Sequence, residues 1–71
     1  MLEMTREERA NLELELVAKR QEHSDLDAAI HALISTGTAD TMMLQRLKKK
    51  KLMIKDRITQ LEDILLPDII A

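Results

Sequence analysis

The 71-residue chain contains no cysteine and no phenylalanine, tyrosine or tryptophan, and it has only one glycine and one proline. Without cysteine, disulfide bonds and thiolate metal sites are excluded. Without aromatic side chains, there is no platform on which nucleic-acid bases could stack, and any core must be aliphatic. Uninterrupted apolar runs, such as residues 64–66, are far too short to span a bilayer.

Charged residues make up 34% of the chain and hydrophobic residues 45%, which is typical of long helices in one small domain. Residues 1–40 hold nine acidic and four basic side chains, whereas residues 41–71 hold four acidic and seven basic ones. The two halves can neutralise each other, so the charge does not by itself point to nucleic acid. No apolar segment near the N-terminus resembles a secretory signal, and we expect a cytoplasmic protein.

Local signals predict where two helices begin and end. Thr5 and Glu8 have the spacing of a capping box, and neither proline nor glycine follows for about 30 residues. Gly37 can end the first helix, Asp40 can cap the second, and Pro67 can stop it. We predict one helical-hairpin domain over residues 1–71, divided into a helix at 5–34, a loop at 35–40, a helix at 41–66 and a tail at 67–71.

Apolar residues in both helices recur at alternating spacings of three and four, the heptad repeat of coiled coils. A short loop makes the two helices antiparallel. The predicted fold is therefore all-α, an antiparallel, coiled-coil-like two-helix hairpin that associates into a helical bundle. The intramolecular seam is predicted to consist of Leu12, Leu16, His23, Leu26, Ile30, Leu33, Leu44, Leu47, Lys51, Ile54, Ile58, Leu61 and Leu65.

The seam register also predicts ion pairs along its flanks. It brings Asp27 near Lys48 and Glu22 near Arg57, and it places the long stem of Lys51 along the seam leucines. Such pairs specify the register more than they stabilise the fold.

Several large apolar residues lie off this seam, where a lone hairpin does not bury them. They predict a second contact surface, most simply for another copy of the hairpin in a four-helix bundle or for a larger protein. The predicted partner surface consists of Leu14, Val17, Met43, Leu52, Met53 and Ile64.

A run of four lysines at residues 48–51 suggests a basic patch. Successive helical residues turn by about 100°, so these lysines sweep about 300° around the axis and cannot form one flat surface. Nucleic acid, bound through phosphates, remains the alternative partner, and membrane binding is not expected. The basic contacts for that alternative are Arg46, Lys48, Lys49, Lys50, Lys55 and Arg57.

Polar residues near the middle of the first helix do not predict a reactive site. His23 and Asp27 share a helix face, but zinc usually requires four ligands, and a half-buried seam histidine is the simpler interpretation. Ser24 and Asp25 adjoin His23, and adjacent helical residues do not face each other. We therefore expect no catalytic, cofactor-binding or metal-binding residues, no cofactor and no enzymatic activity.

Two sequence blocks carry a family resemblance. They are EHSDLDAAI at residues 22–30 and LKKKKLMIKDRI at residues 47–58. Together they resemble the YdcH-like family of small bacterial proteins of unknown function, over roughly residues 16–61. The resemblance implies a cytoplasmic bacterial helical hairpin with no established activity. Its recurrent residues correspond here to His23, Leu26, Asp27, Ile30, Leu47, Lys48, Lys49, Lys51, Leu52, Lys55 and Asp56.

The sequence therefore favours a non-enzymatic protein–protein interaction module that self-associates or docks on a larger protein complex. A nucleic-acid-binding accessory protein that uses its basic second helix is the alternative.

Overall fold

The computed structural model describes residues 4–37 and 40–66. Helix α1 extends over Arg6–Thr36 and helix α2 over Thr41–Leu65, and the described residues contain no strand. The two helices pack against each other, so the predicted all-α hairpin is confirmed. The predicted tail at residues 67–71 lies outside the described residues.

Helix α1 begins with the predicted capping box. The Glu8 backbone N–H donates to the Thr5 hydroxyl at 3.0 Å, and the Thr5 backbone N–H donates to the Glu8 carboxylate at 2.8 Å. These bonds satisfy two donors that the first turn would otherwise leave without partners. The same backbone and hydroxyl contacts with Thr5 lower the pKa of Glu8.

Helix α1 ends at the only glycine of the chain. Gly37 has a φ of 68°, and its N–H donates to the carbonyls of Leu33 and Ile34 at 3.1 and 3.2 Å. This left-handed conformation lets the Gly37 N–H satisfy carbonyls of the last helical turn. Helix α1 therefore continues to Thr36, two residues beyond the predicted position 34. Asp40 then caps α2 as predicted, accepting the Met43 N–H at 2.7 Å.

All thirteen predicted seam residues are buried or half-buried. The largest cluster lies toward the open end of the hairpin and centres on Leu61, whose side chain is fully buried. Met4, Leu12 and Leu26 pack against it, and Met4 was not among the predicted seam residues. The buried cluster consists of Leu16, Ile54, Ile58, Leu61 and Leu65.

Substitution of Leu61 by alanine should therefore destabilise the hairpin strongly. We expect the free energy of unfolding to fall by about 2–5 kcal/mol, because the substitution removes buried surface and leaves a cavity in the buried cluster around Leu61. Leu14→Ala is the matched control, since Leu14 is 69% exposed and its truncation should change the free energy by less than about 0.5 kcal/mol. Urea denaturation followed by circular dichroism measures both, and equal losses would contradict this description of the core.

Candidate interaction surface

The hairpin has two broad sides, each marked by its own ion pairs between the helices. On one side, the Lys51 Nζ atom lies 2.6 Å from the Asp27 carboxylate, and the Arg20 Nη2 atom lies 2.9 Å from the Glu62 carboxylate. On the other side, Arg57 contacts Glu15. A residue three, four or seven positions from one of these paired residues lies on the same side of the hairpin, so the ion pairs show on which side the other residues lie.

The contact between Asp27 and Lys51 differs from the predicted neighbour of Asp27, which was Lys48. Lys51 occupies a seam position with its side chain 32% exposed, so its stem lies along the interface while its ammonium reaches the carboxylate. Lys48 lines the same surface depression as Asp27 but is not its hydrogen-bond partner. The hydrogen bond from Lys51 lowers the pKa of Asp27.

Glu22 and Arg57, the second predicted flanking pair, line one surface depression, but Arg57 forms its ion pair with Glu15. Arg57 donates from Nε and Nη2 to the two carboxylate oxygens of Glu15 at 2.7 and 2.8 Å. Glu22 lies instead 3.2 Å from Lys19 on its own helix. Glu15 and Glu22 are seven residues apart and share one side of α1, so the seam register did not distinguish between them. The paired hydrogen bonds from Arg57 lower the pKa of Glu15.

All six residues of the predicted partner surface are exposed. Leu14, Val17, Leu52 and Met53 have the highest values among them, between 63% and 69%, and Met43 has the lowest, at 38%. Three further large apolar residues, which were not among the predicted partner-surface residues, are also exposed. They are Ile34, Met42 and Leu66, and the same criterion of lying off the heptad seam could have found them.

One set of exposed apolar residues occupies what we call the Leu52 face, defined by Val17, Ile34 and Leu52. Ile34 and Leu52 line one depression together with Asp27, Lys48 and Lys51, which places them on the side of the Asp27–Lys51 pair. Val17 lies three residues before Arg20 on α1 and therefore on the same side as the Arg20–Glu62 pair. Both helices thus contribute large apolar side chains to the Leu52 face.

The opposite side, which we call the Met53 face, is defined by Met43, Met53 and Ile64. Met53 lines a depression with Glu15, Lys50 and Arg57. Met43 and Ile64 lie seven residues from Lys50 and Arg57 respectively, so they continue the same side of α2. All three defining residues come from α2, and α1 presents Glu15 and Glu22 there.

The basic residues of α2 divide into two groups. Lys51 and Arg57 are paired with carboxylates of α1. The other predicted basic contacts are exposed and make no ion pair within the described part of the chain. These are Arg46, Lys48, Lys49, Lys50 and Lys55.

The two histidines lie in different environments. His23 is half-buried on the seam, whereas His31 is exposed, with its Nδ1 atom 2.9 Å from the Asp27 backbone carbonyl. Across residues 4–37 and 40–66, no group of three or more His, Cys, Asp or Glu side chains could hold a metal ion. Neither described helix is long and apolar enough to cross a bilayer.

The chain matches a known protein family over most of its length. The family described as "Protein of unknown function (DUF465)" matches residues 16–62, which is more than half of the chain. The YdcH-like proteins belong to this family, so the resemblance found in the two sequence blocks is confirmed. Neither the curated proteins nor the solved structures contain a match to the chain.

Acid should weaken the hairpin through Glu15 and Asp27. Their carboxylates have lowered pKa values in the folded state, so they stabilise it at neutral pH, and that contribution is lost as the pH falls below about 4 and through the folded-state values. We expect Glu15→Gln and Asp27→Asn each to lower stability at pH 7 and to flatten its decline between about pH 5 and pH 2.

Thermal unfolding followed by circular dichroism across this pH range measures the effect. Asp63→Asn is the matched control, because it removes a carboxylate that makes no ion pair within the described residues. If stability declined with pH as steeply in both test variants as in the parent, the acid sensitivity would not come from the ion pairs of Glu15 and Asp27.

Proposed function

The chain belongs to the DUF465 family, whose function is unknown, and we propose that it is a non-enzymatic protein-interaction module of the bacterial cytoplasm. The observation that carries this proposal is the distribution of large apolar side chains. Among the described residues, nine are exposed, six are buried and six more are half-buried along the seam. A single exposed leucine is normal on a protein surface, but nine large apolar side chains on a hairpin of this size leave an extensive apolar surface in contact with water.

The geometry explains why the hairpin leaves so much apolar surface exposed. Two helices can bury only the stripe along which they touch, and a chain of this size has little further surface to fold over itself. A second protein can cover the remaining residues, as it does when an amphipathic helix or another hairpin completes a bundle. The module would then act by binding a protein and not by chemistry on a small molecule.

The energetic scale is adequate for association. Full burial of one leucine or methionine side chain contributes about 1.5–3 kcal/mol, and association costs about 4–15 kcal/mol. The apolar side chains on the surface are 38–69% exposed, so each can contribute about half of that amount. Several of them, buried together on one broad face, therefore reach the lower part of that cost.

Nucleic acid binding is the second candidate, and the unpaired basic residues of α2 favour it. Phosphates can contact Arg46, Lys48, Lys49, Lys50 and Lys55 without disturbing the ion pairs of the hairpin. Against it, the chain lacks aromatic residues for base stacking, and consecutive lysines point in different directions around α2. We therefore rank this candidate second.

The protein-interaction proposal predicts a difference between the parent and a variant with both faces altered. Leu52 and Met53 are each 63% exposed, so Leu52→Gln/Met53→Gln should leave the circular dichroism spectrum of the hairpin unchanged. We expect the parent to exceed the 8.2 kDa monomer mass in light scattering at high micromolar concentration, or to retain a partner from its host. The double variant should lose either association.

The proposal would be contradicted if the parent were strictly monomeric and retained no protein. It would also be contradicted if the parent and the double variant retained the same proteins. The nucleic-acid alternative predicts retardation of RNA or DNA that weakens steeply with salt, and Lys48→Glu/Lys49→Glu should reduce it. Absence of any retardation at low salt would rule out that alternative.

A further inference from the structure

We propose that the partner is a second copy of this chain, docked antiparallel across the Leu52 face so that the loop end of each hairpin covers the open end of the other. This inference rests on the proposed function and specifies its partner, its surface and its geometry. Three independent features of the described residues support it, namely the composition of the face, the distribution of charge along the hairpin and the spacing of the apolar side chains.

The residue composition of the two faces favours the Leu52 face over the Met53 face as a dimer interface. A symmetric dimer presents the same surface twice, so every side chain must suit its own copy. On the Leu52 face, both helices contribute large apolar residues, and the carboxylates of Asp27 and Glu62 are neutralised within the hairpin. On the Met53 face the carboxylates of Glu15 and Glu22 are likewise paired within the hairpin, but α1 presents these polar side chains where the Leu52 face has apolar ones. The Leu52 face therefore buries apolar surface from the whole width of the hairpin.

The charges along the hairpin select the antiparallel orientation. The loop half, at residues 22–37 and 40–55, holds six basic and four acidic side chains, a balance of +2. The open half, at residues 4–21 and 56–66, holds five basic and seven acidic side chains, a balance of −2. A parallel dimer would place like halves together, whereas the antiparallel one places each half against its opposite.

The apolar side chains on this face are spaced symmetrically along the hairpin. The Asp27–Lys51 contact places Leu52 near position 26 of α1, with Val17 about nine residues to one side and Ile34 about eight residues to the other. A two-fold axis through the level of Leu52 therefore brings Ile34 of one copy against Val17 of the other. Leu52 then meets its own counterpart, which buries all three defining residues at once.

The same axis brings one oppositely charged pair together on α2, beside a like-charged one, since Lys49 and Lys55 each lie three residues from Leu52. Lys48 and Asp56 each lie four residues from Leu52, so Lys48 of one copy lies opposite Asp56 of the other, twice per dimer. Both side chains are exposed and make no ion pair within the described residues of their own hairpin. The dimer thus supplies Lys48 and Asp56 each with an oppositely charged neighbour that the single hairpin does not provide.

The size of the face is sufficient. The principal extents of the hairpin are 50, 28 and 17 Å, so a broad side of 50 by 28 Å exceeds the roughly 800 Å² that each partner buries in an interface of standard size. A dimer formed in this way is a four-helix bundle, the architecture that short hairpins commonly complete.

Charge reversal with rescue tests the orientation. In sedimentation equilibrium, Lys48→Glu and Asp56→Lys should each weaken the homodimer roughly tenfold, because two like-charged contacts appear in each. An equimolar mixture of the two variants should restore parental affinity as a heterodimer, since every contact then pairs opposite charges. Lys50→Glu changes the net charge as Lys48→Glu does, but on the Met53 face, and should leave the dimer within about twofold of the parent.

Cysteine cross-linking tests the face directly, and the absence of native cysteine makes each result unambiguous. A disulfide requires Cβ atoms about 3.5–4.5 Å apart, so Leu52→Cys at the two-fold axis should oxidise to a covalent dimer. Met53→Cys is the matched control, because Met53 is equally exposed but faces the other way, and it should oxidise only slowly.

The outcomes separate this inference from the proposed function. A dimer that cross-links through Met53→Cys and not Leu52→Cys, or that shows no rescue on mixing, overturns the antiparallel Leu52-face dimer while leaving a self-associating module. A monomeric parent that retains a different protein overturns the inference and leaves the interaction module. A monomer that retains no protein overturns both.

Discussion

The single stripe of contact between two antiparallel helices is the constraint on which the rest of this structure depends. Each helix is amphipathic along a heptad seam, and with only one partner it can bury that seam and nothing else. The outcome is a thin core, in which Leu61 is the most deeply buried residue of the cluster that the described helices form. Because the chain lacks aromatic side chains, no large ring can widen that core, and the off-seam leucines and methionines remain exposed.

Charged residues beside the seam then specify how the helices are aligned. Lys51 lies within the seam and reaches out to Asp27, while Arg57 forks onto Glu15 on the opposite side. Each of these side chains is about a third exposed, so solvent screens the pairs and their effect on stability is modest. Their contribution to specificity is larger, because a slip of one helix past the other would break contacts on both sides at once.

The lysine run illustrates how position on a helix changes the meaning of a sequence. In the linear chain, residues 48–51 look like one basic patch. In the hairpin, Lys51 neutralises Asp27, Lys48 borders the Leu52 face and Lys50 borders the Met53 face. The four lysines therefore contribute to different parts of the hairpin surface and do not form one basic patch.

Much of this protein was accessible from its sequence, because helical periodicity and capping are local properties of the chain. The heptad spacing identified seam residues that are all buried or half-buried, and Thr5, Gly37 and Asp40 marked helix boundaries within two residues. Membership of the DUF465 family was likewise apparent from two short blocks. Which residues face the partner helix is determined by sequence, since a heptad repeat allows only one buried stripe.

Which charged groups form ion pairs is determined by the tertiary structure. Asp27 pairs with Lys51, whereas the seam register suggested Lys48. Arg57 pairs with Glu15 and not with Glu22, although both glutamates lie on the same side of α1. A long side chain can reach any of several partners within a turn or two, so spacing alone does not select among them. Only the three-dimensional placement of both helices also shows that Val17, Ile34 and Leu52, distant in sequence, lie on one face.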